Sequence, residues 1–243
     1  MPSTPDIDLV LVDFDDTLVD TAPRFERARR MLFDRMAALG YDRDRAEQVH
    51  HHEVDPRLRE EFGLGPQRMP RAFQDTYRTL CRESGDDPDP TILEEVRRVG
   101  AGVAGTPPVI DGAMAALRRL AETLPTLVYT QASDERYQLG CLRDAGAVAA
   151  VGEDRVRVVP LKTAGVLRET LDEHGVRDPS RAWMVGNSVR SDINPALEVG
   201  ARALLVEVDE PWQHDVVDPL HDGFRRVRTF RDAVDLLLNG ASA

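Results

Sequence analysis

The sequence contains few cysteines and no long apolar segment. Its two cysteines, Cys81 and Cys141, are far apart and have no metal-ligand spacing. A disulfide framework is therefore excluded, and a reducing compartment is expected. The uncharged runs all fall well short of the about 18 apolar residues that a membrane-spanning helix needs, and the N-terminus lacks the basic and apolar regions of a signal peptide. These absences predict a cytoplasmic protein without a membrane partner.

Positive charge is also scarce in this chain. Lysine and arginine number 31 against 43 acidic residues, which gives a formal net charge of −12. Because nucleic acids bind to basic surfaces, a nucleic-acid partner is not expected. A small anionic substrate stays possible, since a metal ion and a few local cations can hold it. The 243 residues are 42% hydrophobic and 30% charged, as in a globular domain with or without an inserted module. The oligomeric state stays open between monomer and homodimer.

Helical and extended patterns alternate from about residue 109 onward. The helices are predicted over 111–122, 134–145, 162–174, 190–199 and 229–238. The strands are predicted over 124–129, 148–151, 155–159, 182–185 and 203–208, after a first strand over 7–12. Strands separated by helices of this length predict an α/β fold, in which a doubly wound parallel sheet has helices on both faces.

Residues 20–106 have a different pattern, with helical periodicity and no convincing strand. Its apolar positions include Phe25, Ala28, Leu32, Met36 and Leu39. The pattern predicts an inserted all-helical cap, so that residues 1–19 and 107–243 form the core. Inserts in α/β proteins leave from the carboxyl ends of strands, where ligands bind. We therefore expect the cap to overhang the end of the first strand.

Three carboxylates are clustered at the end of the first predicted strand. Asp13, Asp15 and Asp16 precede Thr17, in the pattern Asp-x-Asp-x-Thr. Carboxylates this close repel one another unless a cation or hydrogen bonds neutralise them. An acidic turn before a helix is the simplest interpretation. The pattern after an apolar strand also supplies one carboxylate to attack phosphorus, a second to transfer a proton, and a site for a hard cation. It therefore predicts a phosphoryl-transfer centre.

Further polar residues follow other predicted strands. Thr130 and Gln131 end the run 127–129, Lys162 begins a predicted helix, and the segment 186–193 follows the strand 182–185. In a doubly wound sheet these carboxyl ends converge. Together with the aspartate motif, the ordered set resembles the haloacid dehalogenase (HAD) superfamily, of the phosphatase type with a helical cap. The resemblance covers nearly the whole chain and implies a Rossmann-like core.

The resemblance implies a nucleophile, an acid–base residue and a Mg²⁺ site. Asp13 would be the nucleophile and a metal ligand. Asp15 would protonate the leaving oxygen and then activate water, with its backbone carbonyl on the metal. Asp192 would hold the metal directly or through water. Asn187 stands where the family usually has aspartate. An amide oxygen can ligate a hard cation but carries no charge, so a lower Mg²⁺ affinity is expected.

The resemblance also implies a phosphate-binding set. Thr130 would hydrogen-bond a phosphate oxygen, with Gln131 beside it. Lys162 would bridge the nucleophile and the phosphate, so that Asp13 stays ionised and transition-state charge is offset. Asp16 is a further candidate for phosphate binding.

The predicted function is Mg²⁺-dependent hydrolysis of a small phosphorylated metabolite through an aspartyl-phosphate. A phosphomutase of the same superfamily is compatible with the same motifs. A dehalogenase is disfavoured by Asp15, because a halide leaves without protonation. Asn187 alone favours a non-catalytic protein that binds a phosphorylated metabolite. The substrate is expected to be chosen by the cap, where three consecutive histidines at 50–52 are the first segment to test. Trp212 and His214, after the last predicted strand, could line the entrance, although packing is the simpler role for them.

Overall fold

The core is built on a six-stranded parallel sheet. It is seen in a computed structural model, which describes residues 7–209, 212 and 215–239. The strands are β1 Leu9–Val12, β2 Thr126–Gln131, β3 Val156–Val159, β4 Ala182–Gly186, β5 Arg202–Val206 and β6 Arg225–Val227. Their order in the sheet is β3-β2-β1-β4-β5-β6. All four residues of β1, in the sequence Leu-Val-Leu-Val, are buried. A continuous apolar run of this kind is typical of a strand that is covered on both faces of a parallel sheet.

In the described part of the chain, six α-helices accompany these strands. They are α6 Ala113–Thr123, α7 Glu135–Asp144, α8 Ala147–Val151, α9 Ala164–Glu173, α10 Asn194–Val199 and α11 Phe230–Leu238. A π-helical turn, Val189–Ile193, precedes α10. Residues of β1, β2 and β4 share an apolar cluster with α9 and α10, which includes Leu11, Leu127, Met184, Leu171 and Ala196. The predicted doubly wound α/β fold, Rossmann-like in its sheet, is confirmed.

Two local predictions for this region were wrong, and one strand was missed. Residues 148–151 belong to α8 rather than to a strand, because a short apolar run does not by itself distinguish the two. Strand β6 was not predicted, since it is only three residues long and two of them are exposed arginines. Lys162 does not begin a helix. Helix α9 begins at Ala164, and Thr163 caps it by accepting a hydrogen bond from Val166 N.

The chain divides into two units, and the second is all-helical. It comprises residues 22–105 and 132–137, while the first comprises the described parts of 1–21, 106–131 and 138–243. The sequence predicts that the segment 132–137 belongs to the core, within 107–243. The helices of the second unit are α1 Ala22–Ala38, α2 Arg43–Gln48, α3 Asp55–Phe62, α4 Arg68–Ser84 and α5 Pro90–Ala101, with a π-helical turn, Val49–Val54, between α2 and α3.

His50 lies inside the apolar core of this helical unit. It is 1% exposed, and its ring lies 5.7 Å from the ring of Phe33 and 5.4 Å from that of Phe73, measured between centroids. Its Nδ1 lies 3.2 Å from Thr76 Oγ1. His50 therefore packs the helical unit, and within the segment 50–52, which is the first to test for substrate choice, this residue belongs to the buried core.

Within the described residues, no helix is both long enough and apolar enough to cross a membrane.

Candidate active site

The turn after β1 is shaped by Asp16. Its backbone has a φ of 55°, a left-handed conformation that aspartate tolerates better than most residues. Its N–H donates to Val19 O at 2.8 Å, and its Oδ1 accepts from Thr21 N at 2.7 Å. The backbone N–H and the side-chain carboxylate of Asp16 thus stabilise the turn that carries Asp13 and Asp15. The predicted phosphate contact of Asp16 has no support from this geometry.

Lys162 lies between two buried carboxylates. Its Nζ is 2.5 Å from Asp13 Oδ1 and 2.6 Å from Asp192 Oδ1. Asp13 follows β1, Lys162 precedes α9, and Asp192 lies in the π-helical turn after β4, so three separate segments meet here. The structure therefore brings together these three residues, as the sequence predicts.

The charges in this group are strongly coupled. Burial raises the pKa of Asp13; the Lys162 ammonium opposes that rise, and the Asp192 carboxylate adds to it. Burial disfavours the charged form of Lys162, but attraction to Asp13 and Asp192 outweighs it and raises the Lys162 pKa. The ammonium therefore stays charged and partly neutralises two carboxylates in a buried site.

Asp192 is fixed by its own loop as well. Its Oδ2 accepts a hydrogen bond from Ser188 N at 3.0 Å. The last residue of β4, Gly186, packs directly against the carboxylate, and a Cβ there would overlap the Asp192 side chain. Glycine is therefore required at position 186, because the Asp192 carboxylate approaches it so closely.

Asp215 is a further acidic residue near this site, and no pattern in the sequence points to it. Burial raises the pKa of Asp215, and a hydrogen bond from Ser188 opposes that rise.

The side-chain amide of Asn187 faces two oxygens of the aspartate motif. One of the two terminal atoms of this amide, either its nitrogen or its oxygen, lies 3.1 Å from Asp15 O and 3.3 Å from Asp13 Oδ2. With nitrogen in this place, the amide donates to both oxygens. With oxygen there, the amide accepts a hydrogen bond from Thr17 Oγ1 at 3.3 Å, and its oxygen faces the Asp15 carbonyl and the Asp13 carboxylate, a group of three oxygens that attracts a cation.

These residues fit Mg²⁺. Adjacent oxygen ligands of an octahedral Mg²⁺ are roughly 3 Å apart, close to the spacing of the carboxylate, carbonyl and amide oxygens described above. Among the described residues, no group of three or more His, Cys, Asp and Glu side chains could hold a metal ion. The candidate ligands are instead a mixed set, in which a backbone carbonyl and an amide accompany Asp13, with Asp192 nearby.

Asp15 is held at both of its carboxylate oxygens. Thr21 Oγ1 donates to Oδ1 at 2.7 Å, and Gln138 Nε2 donates to Oδ2 at 2.8 Å. Gln138 Nε2 also lies 3.1 Å from Thr130 Oγ1. Thr130 is therefore linked to Asp15 through Gln138. Neither Thr21 nor Gln138 was predicted, because a lone hydroxyl and a lone amide carry no motif.

Gln131 contacts the loop that carries Lys162. Its Oε1 accepts a hydrogen bond from Lys162 N at 2.9 Å. This places Gln131 beside the cationic side chain of the site, and its contact with a phosphate remains a prediction. Two residues were candidates for either packing or lining the entrance. His214 lies outside the described residues, and the backbone carbonyl of Trp212 accepts a hydrogen bond from Asp215 N at 2.7 Å.

The comparisons with known proteins agree with the fold. A family model described as haloacid dehalogenase-like hydrolase matches residues 7–200. The chain therefore belongs to the haloacid dehalogenase-like hydrolases. No curated protein matches the sequence.

Solved structures of similar proteins cover nearly the whole chain. A haloacid dehalogenase-like family hydrolase from Xanthomonas campestris has 22% identity and a TM-score of 0.78 over 98% of this chain and 95% of its own. The HAD-hydrolase YfnB from Bacillus subtilis, described as bound to magnesium, has 18% identity and a TM-score of 0.61 over 94% and 97%. A 2-haloacid dehalogenase from Pseudomonas syringae has 23% identity and a TM-score of 0.56 over 96% and 99%. These likenesses establish the fold.

Proposed function

We propose that the protein is a Mg²⁺-dependent phosphatase that hydrolyses a small phosphorylated metabolite through an aspartyl-phosphate on Asp13. The observation that carries this proposal is the second carboxylate, Asp15, which two hydrogen bonds hold two residues after Asp13. The leaving oxygen of a phosphate ester needs a proton, whereas a halide leaves without one. Asp15 therefore favours phosphate esters over haloacids, although a dehalogenase is among the similar structures.

The first half-reaction transfers the phosphoryl group to the protein. A carboxylate oxygen of Asp13 attacks phosphorus, the bond from phosphorus to the ester oxygen breaks, and Asp15 gives its proton to that oxygen. Lys162 lies 2.5 Å from the nucleophile, where its charge offsets the negative charge that develops on the phosphoryl oxygens. Thr130 donates to one of these oxygens.

The second half-reaction releases phosphate. Asp15 takes a proton from water, the water oxygen attacks phosphorus, and the bond between phosphorus and Asp13 breaks. Asp13 returns to its carboxylate form, and Asp15 is again protonated for the next cycle. Both half-reactions therefore use the same carboxylate for proton transfer.

The residues that would hold Mg²⁺ are Asp13, the backbone carbonyl of Asp15, Asn187 and Asp192, the last directly or through water. When bound, Mg²⁺ neutralises charge and orients the phosphoryl group.

The scarcity of cysteine supports a reducing, cytoplasmic compartment.

A p-nitrophenyl phosphate assay with and without Mg²⁺, run beside a chloride-release assay with 2-chloropropionate, tests this function. We expect Mg²⁺-dependent release of phosphate, loss of activity after chelation, recovery on adding Mg²⁺, and no chloride. Chloride release without phosphate release would establish a dehalogenase instead. Absence of both products would favour a non-catalytic binding protein, and transfer of phosphate between hydroxyls of a sugar phosphate would identify a mutase.

A further inference from the structure

One buried amide connects two parts of the proposed mechanism. Gln138, in α7, is 6% exposed. Its Nε2 lies 2.8 Å from Asp15 Oδ2 and 3.1 Å from Thr130 Oγ1. An amide nitrogen carries two hydrogens, so both bonds form at the same time. Gln138 thus links a residue that follows β1 to a residue of β2.

This link directs the hydroxyl of Thr130. Because the Thr130 oxygen accepts a hydrogen bond from Gln138, its own hydrogen points away from that amide. It is then available to donate to an anionic ligand. Thr130 is 1% exposed, so its hydroxyl has little freedom to be oriented by solvent.

The same link fixes the acid–base carboxylate. Gln138 binds one oxygen of Asp15 and Thr21 binds the other, so rotation of the carboxylate about its terminal torsion breaks at least one of the two bonds. A proton donor must lie within hydrogen-bonding distance of the leaving oxygen, and a misplacement of about 1 Å can cost a factor of about 100 in rate.

We propose that Gln138 is a positioning residue, which fixes the acid–base carboxylate of Asp15 relative to the phosphate-binding hydroxyl of Thr130. This inference rests on the proposed function. Gln138 itself does not touch the substrate. It acts through the two residues that it binds.

The test uses Gln138→Met, which keeps the length of the side chain and removes both donors. The matched control is Gln74→Met in the helical unit, where Gln74 Nε2 donates to Leu93 O at 3.3 Å. With p-nitrophenyl phosphate and Mg²⁺, we expect kcat of Gln138→Met to fall about 10- to 100-fold. KM should change less than about 3-fold, and Gln74→Met should keep the wild-type kcat. An unchanged kcat in a folded Gln138→Met protein would overturn the inference.

A leaving-group comparison and a double mutant separate positioning from a general packing role. Phenol is a more basic leaving group than p-nitrophenol and depends more on protonation, so Gln138→Met should impair phenyl phosphate more than p-nitrophenyl phosphate. In an Asp15→Asn background the same substitution should cost less than in the wild type, because there is no acid left to position. Equal losses on both esters, or fully multiplicative losses in the double mutant, would contradict the inference.

Crystal structures of the variants give a readout that does not depend on activity. The Asp15 carboxylate and the Thr130 hydroxyl should both move in Gln138→Met, and their unchanged placement would overturn the inference. If Gln138→Met fails to fold, Gln138→Asn keeps the amide but withdraws it by one methylene, and it should show the same displacement. A wild-type protein that releases no phosphate would contradict the proposed function, while these structures would still decide whether Gln138 positions the two residues.

Discussion

Lys162 and Asp192 form an ion pair inside the core, with Nζ 2.6 Å from Oδ1, and Asp192 is only 1% exposed. The same ammonium contacts Asp13. A buried carboxylate that loses its partner is costly, typically about 3–5 kcal/mol. The lysine proposed to act in phosphoryl transfer therefore also neutralises the resting site.

Replacing Lys162 by methionine should lower both stability and activity. The substitution leaves Asp13 and Asp192 without their cation, so the free energy of unfolding should fall by about 3–5 kcal/mol. Urea denaturation would measure this loss, and phosphate release should become undetectable. Adding Asp13→Asn and Asp192→Asn removes the uncompensated charges and should recover much of the stability without the activity. A Lys162→Met protein as stable as the wild type would show that the three charges are not coupled.

Replacing Gly186 by alanine should disturb Asp192. The added Cβ overlaps the carboxylate, and overpacking of this kind costs about 1–3 kcal/mol. We expect a lower melting temperature and a large loss of kcat. The control is Gly140→Ala in α7, where an added Cβ meets no atom within 4 Å and alanine favours the helix. If the two variants behave alike, the close approach at Gly186 has no role in the site.

Replacing Asn187 by aspartate should tighten Mg²⁺ binding. With metal bound, a charged ligand joins the carboxylate of Asp13 and the carbonyl of Asp15. Without metal, the new carboxylate repels these two groups, because the hydrogen bonds from the Asn187 amide are lost. Titration calorimetry should show a lower Kd for Mg²⁺. Thermal unfolding should show a lower Tm under chelation and a larger rise on adding Mg²⁺. Asn239→Asp, at the end of α11, adds the same charge outside the site and should leave the Kd for Mg²⁺ and the rise in Tm on adding Mg²⁺ as in the wild type. An unchanged or weaker affinity in Asn187→Asp would remove Asn187 from the metal ligands.

The helical unit should lose stability as pH falls. Burial lowers the pKa of His50 well below the usual 6.5, and His51, Arg29 and Arg68 add to this effect. Below about pH 6.5 the unfolded chain takes up a proton that the folded unit excludes, so the free energy of unfolding declines, by at most about 1.4 kcal/mol per pH unit for one proton. Above that pH, His50 contributes no dependence.

His50→Phe provides the matching control for this pH dependence. The new ring can pack between Phe33 and Phe73, and Thr76 Oγ1 keeps its 2.8 Å hydrogen bond to Ala72 O. Urea denaturation over a pH series should give a shallower acid decline for His50→Phe than for the wild type. Equal slopes would assign the decline to other groups, among them His51, whose pKa burial also lowers.

The sequence predicted the residues whose positions follow from topology. Asp13, Thr130 and Asp192 come at or just after the ends of neighbouring parallel strands, so any correct assignment of β1, β2 and β4 brings them to one edge of the sheet. Lys162 was found for the same reason, although it lies in a loop and not in a helix.

What the sequence could not predict depends on side-chain packing. Gln138 and Thr21 meet Asp15 only after α7 and the turn at 16–21 have folded, and glutamine or threonine occurs in such positions for many reasons. The role of Asp16 depends on its left-handed backbone, which no pattern in the sequence reveals. His50 looked like a polar residue beside two other histidines, whereas the π-helical turn directs it into the apolar core of the cap.

The most direct test of the account is the phosphatase activity of Asp13→Asn. A neutral amide cannot attack phosphorus, and the substitution keeps the size of the side chain. With p-nitrophenyl phosphate at saturating Mg²⁺, and with folding verified by thermal unfolding, we expect the rate of phosphate release to fall by a factor of about 10⁴ or more. Appreciable hydrolysis by a well-folded Asp13→Asn protein would contradict the aspartyl-phosphate mechanism.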